Sequence, residues 1–318
     1  MSPTLIITCG PTASGKSSLP KKVKQLLKIE GNFDSFLIDD LVEKTNPYYK
    51  GEVKKFIQTQ QKVKTTKEIM DMFLNPSKKM ISKFNEYYWN ARKKTNCETG
   101  EKLSSDLQSN CDNLNDSLLE KAINTGKNIV FELRGVAWPD WLFDLFKNQL
   151  KKHNYTIIVA WTVVDMCELI DRNKRRAIKS VGEFLRDKCE NSPPRLPDIR
   201  LDAYADNLKN IINTFKQQVL IQLDCKKDCK RLLVFDNNEV SKLLYDSQSK
   251  DSSIVKAKSA IDTYHVNKDC VLSKPAWPAV VEKTISSFHN GRLTRNNRGK
   301  KKRRKNKRNT KKLTKRIN

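Results

Sequence analysis

The sequence of 318 residues lacks the patterns typical of zinc sites. It has three histidines and eight cysteines, and no two cysteines have the C-x-x-C spacing of a ligand pair. This argues against a zinc finger, which needs closely spaced Cys or His ligands. The nearest pair, Cys225 and Cys229, could bind a metal or form a disulfide, but we interpret them as two thiols in a reducing compartment.

Long apolar runs are also missing. The longest, residues 155–164, is about half of a membrane-spanning helix, and residues 5–7 are too short for the core of a secretory signal. We therefore expect an intracellular protein, cytoplasmic or nuclear, with no membrane partner. There is no internal repeat.

What the sequence does contain is a phosphate-binding loop close to its N-terminus. Residues 10–17, Gly-Pro-Thr-Ala-Ser-Gly-Lys-Ser, match G-x-x-x-x-G-K-[ST] at every fixed position. A β-rich stretch precedes the loop and a helical pattern over residues 18–29 follows it, as the motif requires. Backbone N–H groups of such a loop point at phosphate oxygens, and the following helix adds its positive end.

The motif predicts a site for a nucleoside triphosphate, ATP or GTP, together with Mg²⁺. Lys16 would contact the β- and γ-phosphates, and the Ser17 hydroxyl would hold Mg²⁺. The rest of the nucleotide site is expected from the other loop residues and the residue after the motif: Gly10, Pro11, Thr12, Ala13, Ser14, Gly15 and Ser18.

Five short apolar runs predict the parallel strands of a doubly wound α/β sheet. They do not alternate strictly between apolar and polar residues, as expected for strands buried on both faces. Ligands bind such sheets at the carboxyl ends of the strands. The predicted strands are 4–8, 35–38, 128–131, 155–164 and 231–235, with helices between them at 115–122 and 140–151.

Composition divides the chain into three parts. Residues 1–245 are predicted to form a P-loop kinase-type domain, into which residues 51–110 insert a Lys-rich helical segment over the substrate side. We expect the aromatic residues of this insertion to pack mainly against the sheet. Residues 246–291 are predicted to be a helical extension, and the helices expected in this region are 240–244 and 253–264.

Acidic side chains follow two of the predicted strands. Asp39 and Asp40 end the second strand, and Glu132 ends the third. Phosphoryl transfer to an alcohol needs a carboxylate that accepts the hydroxyl proton, and a second one often organises the metal. We assign to Asp40 the role of accepting the hydroxyl proton, and to Asp39 or Glu132 the binding of metal or substrate. The alternative for Asp39 and Asp40 is a helix N-cap.

A cluster of arginines follows the fourth strand. Arg172, Arg175 and Arg176 would share one helix face, because residues three or four apart are neighbours on a helix. Arginines of a lid often stabilise the charge of phosphoryl transfer. We therefore expect Arg172 and Arg176 to close over the phosphates, and the alternative is a solvated basic face.

Over about residues 4–238 the chain resembles the zeta toxin family of P-loop kinases. The resemblance implies an ATP-dependent kinase that phosphorylates a hydroxyl, with a general base at Asp40 and a substrate-holding carboxylate at Glu132. It also implies that Asp236 and Asn237 lie near the adenine. The matching segments, in chain order, are the loop 10–17, Leu-Ile-Asp-Asp40 seven residues before Pro47, Val-Phe-Glu132, the Arg172 region and Leu-Val-Phe-Asp236-Asn237.

The acceptor half departs from the family pattern. The family's Asp-x-Asp followed by Phe-Arg stands here as Asp39-Asp40-Leu-Val, its His-Pro as Asn46-Pro47, and its Glu-Gly-Thr as Glu132-Leu-Arg. The resemblance therefore extends to the ATP site but not to the site for the family's acceptor, a uridine-diphosphate amino sugar. We expect a small-molecule or nucleotide-linked acceptor.

Other classes of protein share parts of this pattern. Prenyltransferases that act on tRNA begin with the same Gly-Pro-Thr-Ala-Ser-Gly-Lys, but Asp39-Asp40-Leu-Val does not match the Asp-Ser-x-Gln after their second strand. A polynucleotide kinase-like enzyme, or a nucleic-acid-binding protein with a vestigial nucleotide site, are further alternatives.

The positive charge is concentrated at the C-terminus. The net charge is +26, and residues 295–316 hold 14 Lys or Arg and no acidic residue. We predict that residues 292–318 are disordered and bind nucleic acid without sequence preference, since they have no aromatic residue for stacking. Residues 300–305, Lys-Lys-Lys-Arg-Arg-Lys, resemble a nuclear import signal. The alternative is a tail that only aids solubility.

Overall fold

A six-stranded sheet organises the fold, in the order β2-β3-β1-β4-β5-β6, with β6 antiparallel to β5 and the other pairs parallel. The computed structural model describes residues 2–262 apart from 105–108, 139, 188, 191, 197–200, 221–230 and 239–240. The strands are β1 (Thr4–Cys9), β2 (Asp34–Phe36), β3 (Ile129–Leu133), β4 (Thr156–Val163), β5 (Arg231–Asp236) and β6 (Lys242–Asp246).

Helices connect the strands and form the insertion. A 3₁₀ turn, Lys16–Ser18, leads into α1, and π-helical turns at 41–45, 146–150 and 215–219 extend three of the α-helices. The helices are α1 (Leu19–Leu27), α2 (Ile38–Asp40), α3 (Pro47–Gln61), α4 (Thr66–Leu74), α5 (Lys78–Lys93), α6 (Cys111–Asn124), α7 (Asp140–Leu145), α8 (Met166–Arg186), α9 (Leu201–Thr214) and α10 (Ile254–Asp262).

The predicted doubly wound sheet is confirmed, because all five predicted strands are present and parallel. The predicted helix at 240–244 is wrong. Lys242–Asp246 is instead a sixth strand, and Arg231 of β5 binds Asp246 through its Nε at 2.9 Å. A short apolar run does not distinguish helix from strand. This segment is a strand because it forms the backbone hydrogen bonds available at the free edge of β5.

Apolar side chains are buried on both sides of the sheet and in a second core. Along β1, Leu5 and Ile7 join one cluster and Ile6 joins the other, as the alternation of a strand requires. The second core joins α3, α4 and α5 to the later turns of α8, where Ile178 and Phe184 are fully buried. The insertion is thus helical, but the prediction that its aromatic residues pack mainly against the sheet is wrong, because its helices and α8 bury most of them in a core of their own.

A disulfide closes the end of the insertion. Cys97 and Cys111 are bonded across 14 residues, and Cys167 is also disulfide-bonded. This bond is not predictable from the sequence, because the spacing of cysteines along a chain does not reveal which of them meet in space. The pair for which thiols were predicted, Cys225 and Cys229, lies outside the described residues.

Two further observations concern the described part of the chain only. No helix in it is both long and apolar enough to cross a bilayer, and it holds no group of three or more His, Cys, Asp or Glu side chains suited to a metal ion. The predicted basic tail, 292–318, and most of the extension, from residue 263 onward, lie outside the described residues.

Candidate functional site

The loop between β1 and α1 depends on its two glycines. Gly15 has φ of 84°, and a Cβ there would lie 2.2 Å from Nδ2 of Asn237. Gly10 has φ of 146°, and its Cβ would lie 2.0 Å from Oγ1 of Thr162. Both positions therefore exclude a side chain by backbone conformation and by lack of space. The motif's fixed glycines thus have a local physical reason.

Neighbouring strands hold the loop in place. Thr162 of β4 donates a hydrogen bond to Oγ of Ser14 at 2.7 Å, and Nδ2 of Asn237, just after β5, donates to the Ser14 carbonyl at 2.6 Å. Lys22 of α1 donates to Oδ1 of the same Asn237 at 3.2 Å. The loop is thereby fixed by the sheet before any ligand binds.

Lys16 lies under the loop with 6% of its surface exposed. Its ammonium donates to the Pro11 carbonyl at 2.9 Å and lies 3.4 Å from Oε1 of Glu132, at the end of β3. Burial lowers the pKa of Lys16, while the charges of Glu132 and Asp39 act to raise it. A buried ammonium with so few partners suits the binding of phosphate oxygens. Ser17 beside it is exposed.

Asp39 is the aspartate that faces this centre. The Tyr88 hydroxyl donates to its Oδ1, and Arg195 donates to its Oδ2 at 2.5 Å. Burial alone would raise the pKa of Asp39, but the Arg195 charge and the two hydrogen bonds outweigh it and bring the pKa to about 2. Asp39 is therefore ionised at neutral pH, with both oxygens already bound.

Asp40 has a different position. Its carboxylate pairs with Lys44, one helical turn later, at 2.6 Å, and 44% of its side chain is exposed. Of the three predicted carboxylates, Glu132 and Asp39 thus act on the charge of Lys16, whereas Asp40 pairs with a lysine nearer the surface. Adjacent residues of a helix point about 100° apart, so only one of the two aspartates can face the loop.

A buried carboxyl, Glu43, lies behind Asp39. Its Oε1 is 3.2 Å from Nη1 of Arg195, so one guanidinium bridges two acidic residues. Burial raises the pKa of Glu43 to about 7, the charge of Arg195 opposes the rise, and nearby Asp39 adds to it. Glu43 therefore changes charge in the neutral pH range.

Of the predicted arginines, Arg172 contacts the end of β5. Its Nε donates to Glu168 at 2.7 Å and its Nη2 donates to the Asn237 carbonyl at 2.8 Å. Arg176 lines a cavity of about 330 Å³ that also includes Thr12 of the loop and Glu43. Arg175 points away and pairs with Asp171 at 2.6 Å.

The residues predicted to lie near the adenine have structural roles here. Asp236 accepts hydrogen bonds from the backbone N–H and side-chain amide of Asn238, both at 2.9 Å, which stabilises the turn after β5. Asn237 holds the phosphate loop through Ser14, as described above. Both therefore lie at the correct end of the sheet for a nucleotide.

A second cavity, of about 280 Å³, opens on the other side of the loop. The loop residues Pro11 and Thr12 form part of its wall, together with the insertion, the residues after β3, the segment around Arg195 and α9. Its lining combines three arginines with aromatic rings: Arg92, Arg134, Arg195, Tyr88, Trp89 and Tyr204.

Sequence reasoning missed the residues that shape this cavity. Arg195 lies 156 positions from Asp39 along the chain, in Ser-Pro-Pro-Arg-Leu-Pro, where no spacing rule connects the two. The available signal was a lone arginine between prolines, since rigid loops often carry functional side chains. Tyr88 and Arg92 were hidden in the amphipathic pattern of α5.

Comparisons with known proteins give structural matches only. No family model matches the chain, and no curated protein matches its sequence. Among solved structures, the PezAT chromosomal toxin-antitoxin system of Streptococcus pneumoniae matches at 13% identity and a TM-score of 0.48, over 90% of this chain and 87% of that chain.

Two structures of the AvrRxo1-ORF1:AvrRxo1-ORF2 complex, one with sulphate ions and one native, match at 12% identity and a TM-score of 0.35. The alignments cover 86% and 89% of this chain and 80% of the other chain. Similarity at this level assigns no activity. The strand order and the phosphate loop carry the fold assignment, and the doubly wound P-loop-type sheet predicted from the sequence is confirmed.

Proposed function

We propose that this protein is a P-loop phosphotransferase that moves the γ-phosphoryl group of ATP, or of GTP, to a hydroxyl of a small-molecule or nucleotide-linked acceptor. One observation carries the proposal: the buried ammonium of Lys16, inside a phosphate loop, lies 3.4 Å from Glu132 and within the electrostatic range of Asp39. Cationic and acidic groups thus meet at the carboxyl ends of the strands, and the loop residues Pro11 and Thr12 beside them line a cavity.

The loop suits a triphosphate and its magnesium ion. Lys16 and the loop N–H groups would bind the phosphates, and the exposed Ser17 hydroxyl would hold Mg²⁺, which neutralises charge on the phosphate oxygens when bound. Asp39 fits direct metal binding poorly, because the positively charged Arg195 guanidinium lies 2.5 Å from its Oδ2 and opposes a second cation there. Asp236 and Asn237 remain our candidates for the base of the nucleotide.

We propose that Asp39, rather than Asp40, accepts the proton of the acceptor hydroxyl. Asp39 is ionised and is bound by Tyr88 and Arg195, which both line the 280 Å³ cavity, whereas Asp40 pairs with Lys44 near the surface. A carboxylate of low pKa can serve here, since the proton leaves late in a loose phosphoryl-transfer transition state. Arg195 keeps the carboxylate in place, and Glu132 would position Lys16 or the acceptor.

Two arginines of α8 complete the proposed machinery. Arg176 faces the loop residue Thr12 across the cavity of about 330 Å³, so its guanidinium can approach the transferring group. Arg172 would act indirectly, because it holds the Asn237 carbonyl and thereby the strand end that fixes the loop.

The proposal is tested by nucleotide binding and transfer in paired lysine variants. Calorimetry with MgATP and MgGTP, followed by γ-labelled transfer to nucleosides, nucleotide sugars and oligonucleotides, would be run on the wild type, Lys16→Met and Lys21→Met. Lys21 is exposed on α1 and is the matched control. We expect Lys16→Met to abolish transfer and Lys21→Met to retain it. Absence of nucleotide binding to the wild type would overturn the proposal.

A further inference from the structure

The lining of the 280 Å³ cavity is suited to an anionic ligand with a flat ring. Trp89 has 52% of its surface exposed, an unusual state for so large an apolar side chain, and the Arg92 guanidinium lies 5.4 Å from the centre of its ring. Arg92 is itself fixed by Asp112, which accepts from its Nε at 2.6 Å. Because Arg92 lies over one face of the Trp89 ring, the other face of this exposed ring is the one on which a nucleobase would stack.

The three arginines of this cavity differ in their acidic partners. Arg134 lines the cavity and forms no salt bridge within the described residues, although its charge helps to lower the pKa of Asp39. Arg195, at the far wall, is held by Asp39 and Glu43. An incoming phosphate would therefore find one free and two anchored guanidinium groups.

The charge continues outside the cavity, which favours a polymer over a single nucleotide. The helix that carries Trp89 also presents a series of exposed lysines to solvent, and the chain has a net charge of +26. A cavity of about 280 Å³ holds one nucleotide-sized group, so further nucleotides would lie on this basic surface. The exposed lysines of α5 are Lys78, Lys79, Lys83 and Lys93.

We propose that the acceptor is the terminal nucleotide of a single-stranded nucleic acid, with its base on Trp89, its phosphate among Arg92, Arg134 and Arg195, and its terminal hydroxyl at Asp39. This rests on the function proposed above. The hydroxyl oxygen forms a bond to the γ-phosphorus, the bond from that phosphorus to the β,γ-bridging oxygen breaks, and its electron pair leaves with ADP. The hydroxyl proton passes to the Asp39 carboxylate.

The first test is transfer of label from γ-labelled ATP by the full-length protein. Acceptors would be a single-stranded ten-nucleotide DNA and RNA with free ends, the same strands blocked by phosphate at the 5′ or the 3′ end, uridine monophosphate and a uridine-diphosphate sugar. We expect label on the unblocked strands and loss of label when one end is blocked, which identifies the reacting hydroxyl.

Failure of this inference differs from failure of the proposed function. Label on a mononucleotide or nucleotide sugar but on no strand overturns the nucleic-acid acceptor while keeping the kinase. ATP binding with no labelled acceptor also overturns it. A wild-type protein that binds neither ATP nor GTP overturns the kinase itself.

The second test separates stacking from general folding effects. We expect Trp89→Ala to raise KM for the strand about 5- to 150-fold, the range that corresponds to the loss of one stacked base. The KM for ATP should not change. Trp89→Phe keeps a ring for stacking, so its KM for the strand should be close to that of the wild type. Trp141 on α7 is also exposed and lies outside the cavity, so Trp141→Ala is the matched control. Equal effects of the two alanine variants would overturn the stacking role.

The third test uses ionic strength. Arg134→Gln removes one cation from the cavity wall, so the slope of log KM for the strand against log salt should fall by about 1. An unchanged slope would show that no phosphate of the strand lies at Arg134.

Discussion

At the scale of single residues, the placement of two adjacent aspartates decides which of them can do chemistry. Asp39 is bound by Tyr88 and Arg195 at the cavity, and Asp40 is bound by Lys44 near the surface. An exposed ion pair contributes little to stability, and its loss disturbs little else. The two positions therefore form a natural pair for substitution.

Asp39→Asn should lower the rate of phosphoryl transfer about 10²- to 10⁴-fold, the usual effect of losing a general base, with little change in ATP affinity. Asp40→Asn should leave the rate within about threefold of the wild type. Initial rates at saturating ATP and calorimetric ATP affinities check both. A larger rate loss in Asp40→Asn would reverse the assignment.

Glu43 should make stability depend on pH near neutrality. Its pKa rises on folding to about 7 from an ordinary 4.5, so the folded state holds the proton more tightly. The stabilisation is complete below about pH 4.5 and is lost as the pH rises through 7. The unfolding free energy of the wild type minus that of Glu43→Gln should fall over this range by on the order of 3 kcal/mol.

Denaturant unfolding at intervals from pH 4.5 to 8 measures this difference. Glu120→Gln, on the exposed side of α6, is the control and should show no comparable trend. A flat difference for Glu43→Gln would mean that Glu43 is ionised throughout the range.

At the scale of elements, Asn46 joins the start of α3 to the end of α5. Its Oδ1 accepts from the N–H groups of Tyr48 and Tyr49, and its Nδ2 donates to the Ala91 carbonyl and to Thr95, each at 3.1 Å. It is 1% exposed. This one side chain therefore both caps a helix and crosses the insertion.

Asn46→Ala should lower the unfolding free energy by about 2 kcal/mol or more, because it removes an N-cap and leaves buried backbone groups without partners. Thr65→Ala is the comparison, since Thr65 caps α4 at an exposed site and should cost about 1 kcal/mol. Guanidinium unfolding of both variants gives the two values. Equal losses would mean that the bonds to α5 add nothing.

The disulfide between Cys97 and Cys111 should stabilise the same region. Closing a loop of this length contributes about 3 kcal/mol in the chain-entropy model. The unfolding free energy of the double variant Cys97→Ser/Cys111→Ser, measured with denaturant, should therefore be lower by about 3 kcal/mol. Alkylation of the unreduced native protein, followed by peptide mass mapping, checks the bond itself. Alkylated Cys97 and Cys111 would contradict it.

The same scale shows what the sequence can and cannot predict. The phosphate loop and the five parallel strands were predictable, because their signals are local motifs and apolar runs. Strand β6 was not, since its partner β5 makes it a strand. The difference between Asp39 and Asp40 was not predictable either, since the two carboxylates are adjacent in the sequence and Arg195, the partner of Asp39, lies 156 positions away.

At the scale of the whole molecule, the sheet has protected central strands and two free edges. In β1 every residue is buried, whereas β2 has three residues and none of them is buried, and β6 is partly exposed. Local opening requires little free energy where few apolar contacts and exposed hydrogen bonds occur together.

Amide hydrogen exchange should therefore proceed from the edges inward. We expect the N–H groups of β2 and β6 to exchange first, and those of β1 and β4 to exchange at the rate of global unfolding. Exchange followed by mass spectrometry of peptides from each strand measures the order. Simultaneous exchange of edge and centre would indicate that the sheet opens only as a unit.

The contact of Asn237 with the loop at Ser14 and Gly15 has a consequence for folding during synthesis. The two partners are separated by 223 positions along the chain, so a polypeptide still emerging from the ribosome holds the glycine-rich turn long before the amide that braces it. Until residue 237 is made and β5 has joined the sheet, the nascent chain would lack the hydrogen bond that stabilises the loop. The chain would therefore be able to bind a nucleotide only late in synthesis.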